Sequence, residues 1–193
     1  MKIGILGGTF NPIHNGHLII AETARTKFGL DKIYFVPSAN PPHKNLILAP
    51  KEHRYQMTAI AIQNNPAFFI SPIEMDGKYK YSYQTIKYFL QQKNPDDELF
   101  FIIGMDSLNN IQSWVKGYEL LGLCKFIVIT RPGEKLAENE HLQKYKKNLM
   151  FVENLEIGIS STMIRERIKN NMSIKYLVPN TVRNYIYFNN LYL

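Results

Sequence analysis

The chain has 193 residues and a mass of 22.5 kDa, the size of one domain of roughly 100–200 residues. Its 45% apolar and 20% charged residues exclude disorder, and the one cysteine, Cys124, excludes an internal disulfide framework and a cysteine-rich zinc module. The net charge of +7 and the pI near 9.3 admit nucleic acid or a substrate carrying several phosphates as a partner.

A plainer origin of the charge competes with both. Lysine (17) far outnumbers arginine (6), and asparagine (18) and isoleucine (23) are abundant, a mixture that follows from base composition in the coding DNA. The lysines are scattered, with Lys146 and Lys147 the one adjacent pair. No apolar run reaches the ~20 residues that cross a bilayer. Met1 to Gly8 leaves too little chain before the glycines for a secretory signal. A cytoplasmic protein with a reduced thiol is expected.

Lys2–Gly8 is β-branched, apolar and ends in glycines, which predicts a buried parallel strand. From Gly16 to Phe28, Leu18, Ile19, Ala21, Ala24 and Phe28 recur at helical spacing, with Asn15 as the expected N-cap and Gly29 as the C-cap. Lys32–Pro37 reads as a second strand and completes a right-handed βαβ unit. Ser38–Pro50, with Asn40-Pro41-Pro42-His43-Lys44, reads as a non-helical flap because its prolines remove donors and hold the chain extended. Helix Lys51–Gln63, strand Phe68–Ile73, helix Ser82–Gln92 and the very apolar strand Glu98–Gly104 follow, then strand Lys125–Thr130. A polar helix over His141–Asn148, a short strand over Met150–Val152, and helices over Ser161–Asn170 and Thr181–Tyr187 close the chain. No linker divides it. The alternation predicts a doubly wound, mostly parallel α/β domain over residues 1–193, with 161–193 as a small helical C-terminal part.

Ligands of such sheets sit at the carboxyl ends of the strands, near the point where strand order reverses. The places to search are Gly7–His17, Ser38–Lys44, Gly104–Trp114, Thr130–Gly133 and Gly158–Arg165, and the chemically unusual residues fall there. Gly7-Gly8-Thr9-Phe10-Asn11-Pro12-Ile13-His14-Asn15-Gly16-His17 leaves one strand and enters a helix. Its glycines admit backbone N–H groups to an anion, and the helix start adds partial positive charge. The pattern fits neither the G-x-G-x-x-G fingerprint nor a P-loop. It carries instead two histidines, His14 and His17, placed to converge on the same anion. A three-histidine zinc site from His14, His17 and His43 is a second reading, but it has no H-E-x-x-H pattern and leaves the glycine turn unexplained.

The stretch Gly7–His17 resembles the (H/T)-x-G-H signature of a nucleotidyltransferase superfamily. Ile159-Ser160-Ser161-Thr162-Met163-Ile164-Arg165 resembles its second signature, I-S-S-T-x-I-R, about 145 residues further on. The remaining pieces are Pro41-Pro42-His43-Lys44, Lys80-Tyr81-Ser82-Tyr83-Gln84-Thr85, Ile103-Gly104-Met105-Asp106-Ser107-Leu108 leading to Trp114, and Thr130-Arg131-Pro132-Gly133. Together they are similar, over essentially the whole chain, to the bacterial nicotinate mononucleotide adenylyltransferases. The resemblance implies a Rossmann-like nucleotidyltransferase fold. It also implies transfer of AMP from ATP to nicotinate mononucleotide, giving deamido-NAD and pyrophosphate, with Mg²⁺ accompanying ATP.

By that resemblance His14, His17 and Arg165 are the catalytic set. Gly7, Gly8, Thr9, Phe10, His43, Lys44, Gly104, Asp106, Ser160, Ser161 and Thr162 join Arg165 around ATP. Ser82, or Thr85 one alignment step away, with Trp114, Asn40 and Lys44, would take the acceptor, Ser82 also as a helix N-cap. Protein ligands for the metal are not implied. Two departures stand out: Asn11 replaces the family's usual Asp, and Gly77-Lys78-Tyr79 lacks its arginine–glycine pattern. Nicotinamide mononucleotide or phosphopantetheine is the rival acceptor, and a non-catalytic nucleic-acid-binding protein the rival class. Without a basic stripe interleaved with aromatics, neither nucleic acid nor membrane is an expected partner; a homo-oligomer is compatible with the sequence.

Overall fold

The computed structural model describes residues 1–39, 48–78, 81–130, 133, 136–137, 139–153 and 158–193. Six strands, β1 (Lys2–Gly8), β2 (Lys32–Pro37), β3 (Phe68–Ile70), β4 (Glu98–Gly104), β5 (Lys125–Thr130) and β6 (Leu149–Glu153), form one sheet in the order β3-β2-β1-β4-β5-β6. Every pairing is parallel. Between them run α1 (Asn15–Phe28), α2 (Lys51–Ile62), α3 (Ser82–Gln92), α4 (Met105–Asn109), α5 (Gly117–Leu121) and α6 (Glu140–Lys144). Helices α7 (Ser161–Lys169) and α8 (Asn180–Phe188) follow the last strand. The doubly wound architecture expected from the alternation is present, with the strand-order reversal between β1 and β4.

Because side chains alternate along a strand, each strand feeds two cores. Leu6, Phe100, Ile102, Ile127 and Ile129 pack with Ala21 and Ala24 of α1, Met57 of α2, Ile164 of α7 and Val182 of α8. Ile5, Phe101, Ile103, Phe126 and Val128 pack on the other face with Ile86 of α3, Leu108 of α4, Leu120 of α5 and Leu142 of α6. Strands covered on both sides have no solvent face, which is why they read as unbroken apolar runs. The C-terminal part is tied to the start of α1: the N–H of Asn15 donates to Leu177 O (2.9 Å), and its side chain to Tyr176 O (2.7 Å). Among the described residues no helix is long and apolar enough to cross a membrane.

Four expectations need correction. β3 ends at Ile70 rather than at residue 73: after Ser71 donates to Phe35 O (2.9 Å), Pro72 has no N–H to continue the ladder. The N-cap of α1 is His14, not Asn15, and that of α3 is Tyr81, not Ser82. The polar segment 141–148 divides into α6 and a 3₁₀ turn over Lys146–Asn148. The stretch Gly104–Trp114, for which the sequence suggests no element, holds α4 and a 3₁₀ turn over Ile111–Ser113, with α5 just beyond, pieces too short to show a helical period.

Candidate active site

The cavity opens at the carboxyl ends of β1 and β4, where the strand order reverses, and encloses about 870 Å³, within the usual range for a small-molecule site. On its β1 side lie Gly7, Gly8 and Thr9, followed by His14 and His17. The turn is forced into shape by Phe10, whose backbone is left-handed (φ 47°) and whose ring is buried over Gly8. A Cβ on Gly8 would stand 2.9 Å from that ring, so the position admits glycine alone.

His14 caps α1 and donates its backbone N–H to Nδ1 of His17 (3.2 Å). That bond leaves the proton of a neutral His17 on Nε2, making this nitrogen a donor. The two imidazoles stack with centroids 3.7 Å apart, and the Phe10 ring stands edge-on to His17 at 5.1 Å. Nδ1 of His14 is buried with no hydrogen-bond partner among the described residues. A Cβ at Gly16 would come within 3.0 Å of it, which accounts for the glycine between the histidines. Burial lowers the pKa of His14 to about 4. Burial, and then the like charge of His14, hold His17 well below its ordinary value. Both rings are neutral near pH 7 until an anion arrives to favour their protonated forms.

Helix α7 meets the same turn. Ser160 caps it by accepting the Met163 N–H (3.1 Å), and the hydroxyl of Ser161 donates to Pro12 O (2.8 Å). The guanidinium of Arg165 donates to Asn11 O (2.9 Å) and to Thr162 Oγ1 (3.2 Å). Residues from opposite ends of the chain thus frame one corner: two imidazoles, a helix start and a guanidinium.

The opposite half is built from shorter pieces. Trp114, half-buried, stands edge-on to Phe101 with centroids 6.4 Å apart and lines the cavity. Its segment folds back through Lys116, which is left-handed (φ 56°), and Gly117, where a Cβ would lie 1.8 Å from Ile111 O. Facing it, Tyr81 and Ser82 place the open amide end of α3 on the wall. Thr85 is buried and donates its hydroxyl to Oε1 of Glu74 (2.7 Å). Glu74 itself lines the cavity; burial raises its pKa against the opposing hydrogen bonds of Thr85 and Ser38.

A family model described as cytidylyltransferase-like matches residues 5–167. The chain belongs to that family. It is 44% identical over 199 residues to the probable nicotinate-nucleotide adenylyltransferase of Thermoanaerobacter sp. (strain X514), covering 100% of this chain and 94% of that protein. It is 42% identical over 193 residues to the nicotinate-nucleotide adenylyltransferase of Bacillus subtilis (strain 168), covering 99% and 98%. A solved structure, Plasmodium falciparum nicotinic acid mononucleotide adenylyltransferase complexed with NaAD, superposes with a TM-score of 0.81 at 23% identity, over 99% of this chain and 97% of that one. The fold is shared with it.

Not every residue expected at this cytidylyltransferase-like site reaches the cavity wall. Gly104 and Asp106 do, at the end of β4 and the start of α4, as do Ser160 and Ser161. Phe10 is buried behind the wall, and its role is to hold the turn and the His17 ring. Thr85 is spent on Glu74 and is not on the wall, which leaves Ser82 as the hydroxyl there. Thr162 and Arg165, bonded to each other, are not among the lining residues, and Arg165 reaches the turn through Asn11 O. Asn40, His43 and Lys44, with Arg131 and Pro132, lie outside the described residues.

Glu74 and Arg54 were not legible. Arg54 is 1% exposed, and its hydrogen bonds among the described residues all go to backbone carbonyls. The signal available was its place on the buried stripe of α2 with Met57, Thr58 and Ile62. For Glu74 no pattern marks burial. Among the described residues no three His, Cys, Asp or Glu side chains are grouped to hold a metal ion. Asp106 is an exposed carboxylate on the wall, a donor set that suits Mg²⁺ held chiefly by substrate phosphates.

Proposed function

We propose that this cavity transfers the adenylyl group of ATP to nicotinate mononucleotide, releasing pyrophosphate and forming deamido-NAD in cytoplasmic NAD biosynthesis. The observation that carries the reading is the joining of the two signatures: Ser161 and Arg165 bond to the carbonyls of Pro12 and Asn11, the residues that lead into His14 and His17. The names of relatives 42–44% identical over nearly the full chain support it.

The attacking group is an oxygen of the acceptor's phosphate, already ionised at pH 7, so no side chain need remove a proton. A bond forms from that oxygen to the α-phosphorus of ATP, and the bond from α-phosphorus to the bridging oxygen breaks, with both electrons leaving on pyrophosphate. The chain's work is positioning and charge stabilisation. His17 Nε2–H and the His14 ring donate to the phosphates, and the amides near Gly8 and Thr9 cradle the nucleotide. The start of α7, with Ser160, Ser161 and the fork of Arg165, holds the leaving β- and γ-phosphates. Mg²⁺ would travel with the triphosphate and neutralise part of its charge, with Asp106, the exposed one of the two lining carboxylates, to meet it or a ribose hydroxyl. Trp114 stacks on the pyridine ring, while Ser82 and the free amides of α3 take its carboxylate. A neutral carboxamide there would leave a donor facing a donor, which is costly in a buried site.

Pyrophosphate release with nicotinate mononucleotide, nicotinamide mononucleotide and phosphopantetheine tests the assignment. The first is expected to be fastest. Equal or better turnover with the amide removes the acceptor assignment, and no release with any of the three removes the enzyme.

A further inference from the structure

Among the described residues the most completely buried charge, that of Arg54, belongs to none of the proposed contacts. The Arg54 guanidinium donates to Thr9 O (2.7 Å), Ser38 O (2.6 Å), Ala39 O (2.9 Å) and Ala49 O (3.0 Å). Thr9 and Ser38 line the cavity, so Arg54 sits directly behind the turns that follow β1 and β2 and fixes both. Carbonyls satisfy its donors but do not cancel its charge, and among the described residues no carboxylate lies within salt-bridge distance. Glu52, whose field reaches it, is exposed and therefore screened.

One residue removed from Arg54, across Ala49, stands an amide rather than a carboxylate. Asn11 Oδ1 accepts the N–H of Ala49 (3.0 Å), the residue whose carbonyl Arg54 holds. It also accepts the hydroxyl of Tyr192 (2.9 Å), which feels the fields of both Arg54 and Arg165. Asn11 is 3% exposed and its own carbonyl receives Arg165. A neutral residue is thus linked to both guanidiniums, to Arg54 through Ala49 and to Arg165 through its own carbonyl, in the turn that ends at the histidine pair.

We propose that Arg54 and the neutral Asn11 together set the affinity of this site for a triphosphate, Arg54 as a positioning residue and internal cation whose charge is left for the ligand's phosphates to balance. The inference rests on the nucleotide reading of the cavity. It makes Asn11→Asp the informative variant: the carboxylate keeps the two hydrogen bonds that Oδ1 accepts at unchanged size, pairs with the guanidiniums, and takes from the phosphates the charge they would otherwise meet.

Calorimetric titration of the full chain with ATP, and with adenosine as the triphosphate-free control, tests this alongside thermal melting. Asn11→Asp is expected to weaken ATP by about fivefold or more, the scale of one partly screened charge acting through protein, with adenosine affinity unchanged and the melting temperature kept or raised. Arg54→Lys, which keeps the charge but not the fork, should melt lower yet hold ATP within about threefold of the parent when measured well below its melting temperature. A folded Asn11→Asp variant with unaltered ATP affinity, or one that loses adenosine equally, overturns the charge assignment while leaving the adenylyl-transfer reading in place. A parent chain that binds no ATP overturns both.

Discussion

The two halves of the cavity are built on different plans. At the phosphate end, consecutive residues do nearly everything: Gly8 makes room for the Phe10 ring, Phe10 supports His17, His14 caps the helix, and Gly16 yields space to His14. From elsewhere come α7, fastened by two hydrogen bonds to Asn11 and Pro12, and Arg54 of α2, which holds Thr9 from behind. At the other end Trp114, Ser82 and Glu74 come from three separate segments and are held by Phe101, Gly117 and Thr85. An anion needs inward-pointing N–H groups and a helix start, which a short run of chain can supply. A flat ring needs walls, and walls are gathered from wherever the fold brings them.

Breaking each end should therefore give different kinetics. The largest expected effect is at the phosphate end. His17→Ala removes the Nε2 donor from the developing charge and should lower kcat by about 10²–10³ with the fold intact; an unchanged rate in steady-state pyrophosphate release discards the paired-histidine role. Trp114→Ala should act mainly on the acceptor, raising its KM by about 10- to 100-fold on the scale of base–aromatic stacking, with the KM for ATP little moved. A loss confined to thermal stability makes this tryptophan a core residue.

The same contrast governs what could be read from the sequence. Strands β1, β2, β4 and β5 have the expected ends, because runs buried on both faces and stopped by glycine, proline or charge are unambiguous. The histidine turn and the Ser160–Arg165 helix start were legible because local geometry demands specific residues at fixed spacing. The N-caps of α1 and α3 each shifted by one residue, since His14 and Tyr81 take the extended cap conformation ahead of better capping side chains. Thr85 and Ser82 lie three apart on one helix, and only the buried partner Glu74 distinguishes them. Arg54 was hidden because an arginine in a helix is ordinarily solvated, and nothing local announces four carbonyls converging from two loops.

The Glu74–Thr85 contact offers a milder way to separate the halves. Thr85→Val keeps the shape of the side chain and deletes the hydroxyl that donates to Glu74 Oε1. Leaving that buried carboxyl short of a donor should cost about 1–3 kcal/mol in denaturant unfolding. Because Glu74 joins α3 to Ser38, the acceptor's KM should rise a few-fold while ATP affinity stays near that of the parent. Unfolding at the parent's midpoint shows the contact to be dispensable.

The smallest expected effect is a pH dependence that belongs to the phosphate end alone. Burial lowers the pKa of His14 to about 4 in the folded chain from its ordinary 6.5, so between these two values the unfolded chain holds a proton that the folded chain does not. Stability tied to this group is thus fully present above pH 6.5 and is lost as pH falls toward 4. From pH 7 to 5.5 the loss from His14 is about 1 kcal/mol, and His17, lowered in the same direction, adds to it. Comparing the parent with His14→Asn isolates the effect, since every other titrating group is common to both, and the variant should show the shallower slope. ATP should flatten the parent's slope as well: its phosphates favour the protonated imidazoles that the empty site disfavours. The acceptor, which we propose binds away from the rings against Trp114 and Ser82, should not. Identical slopes for parent and variant show that His14 carries no such linkage, and flattening by the acceptor as well as ATP shows that the two ends are not electrostatically separate.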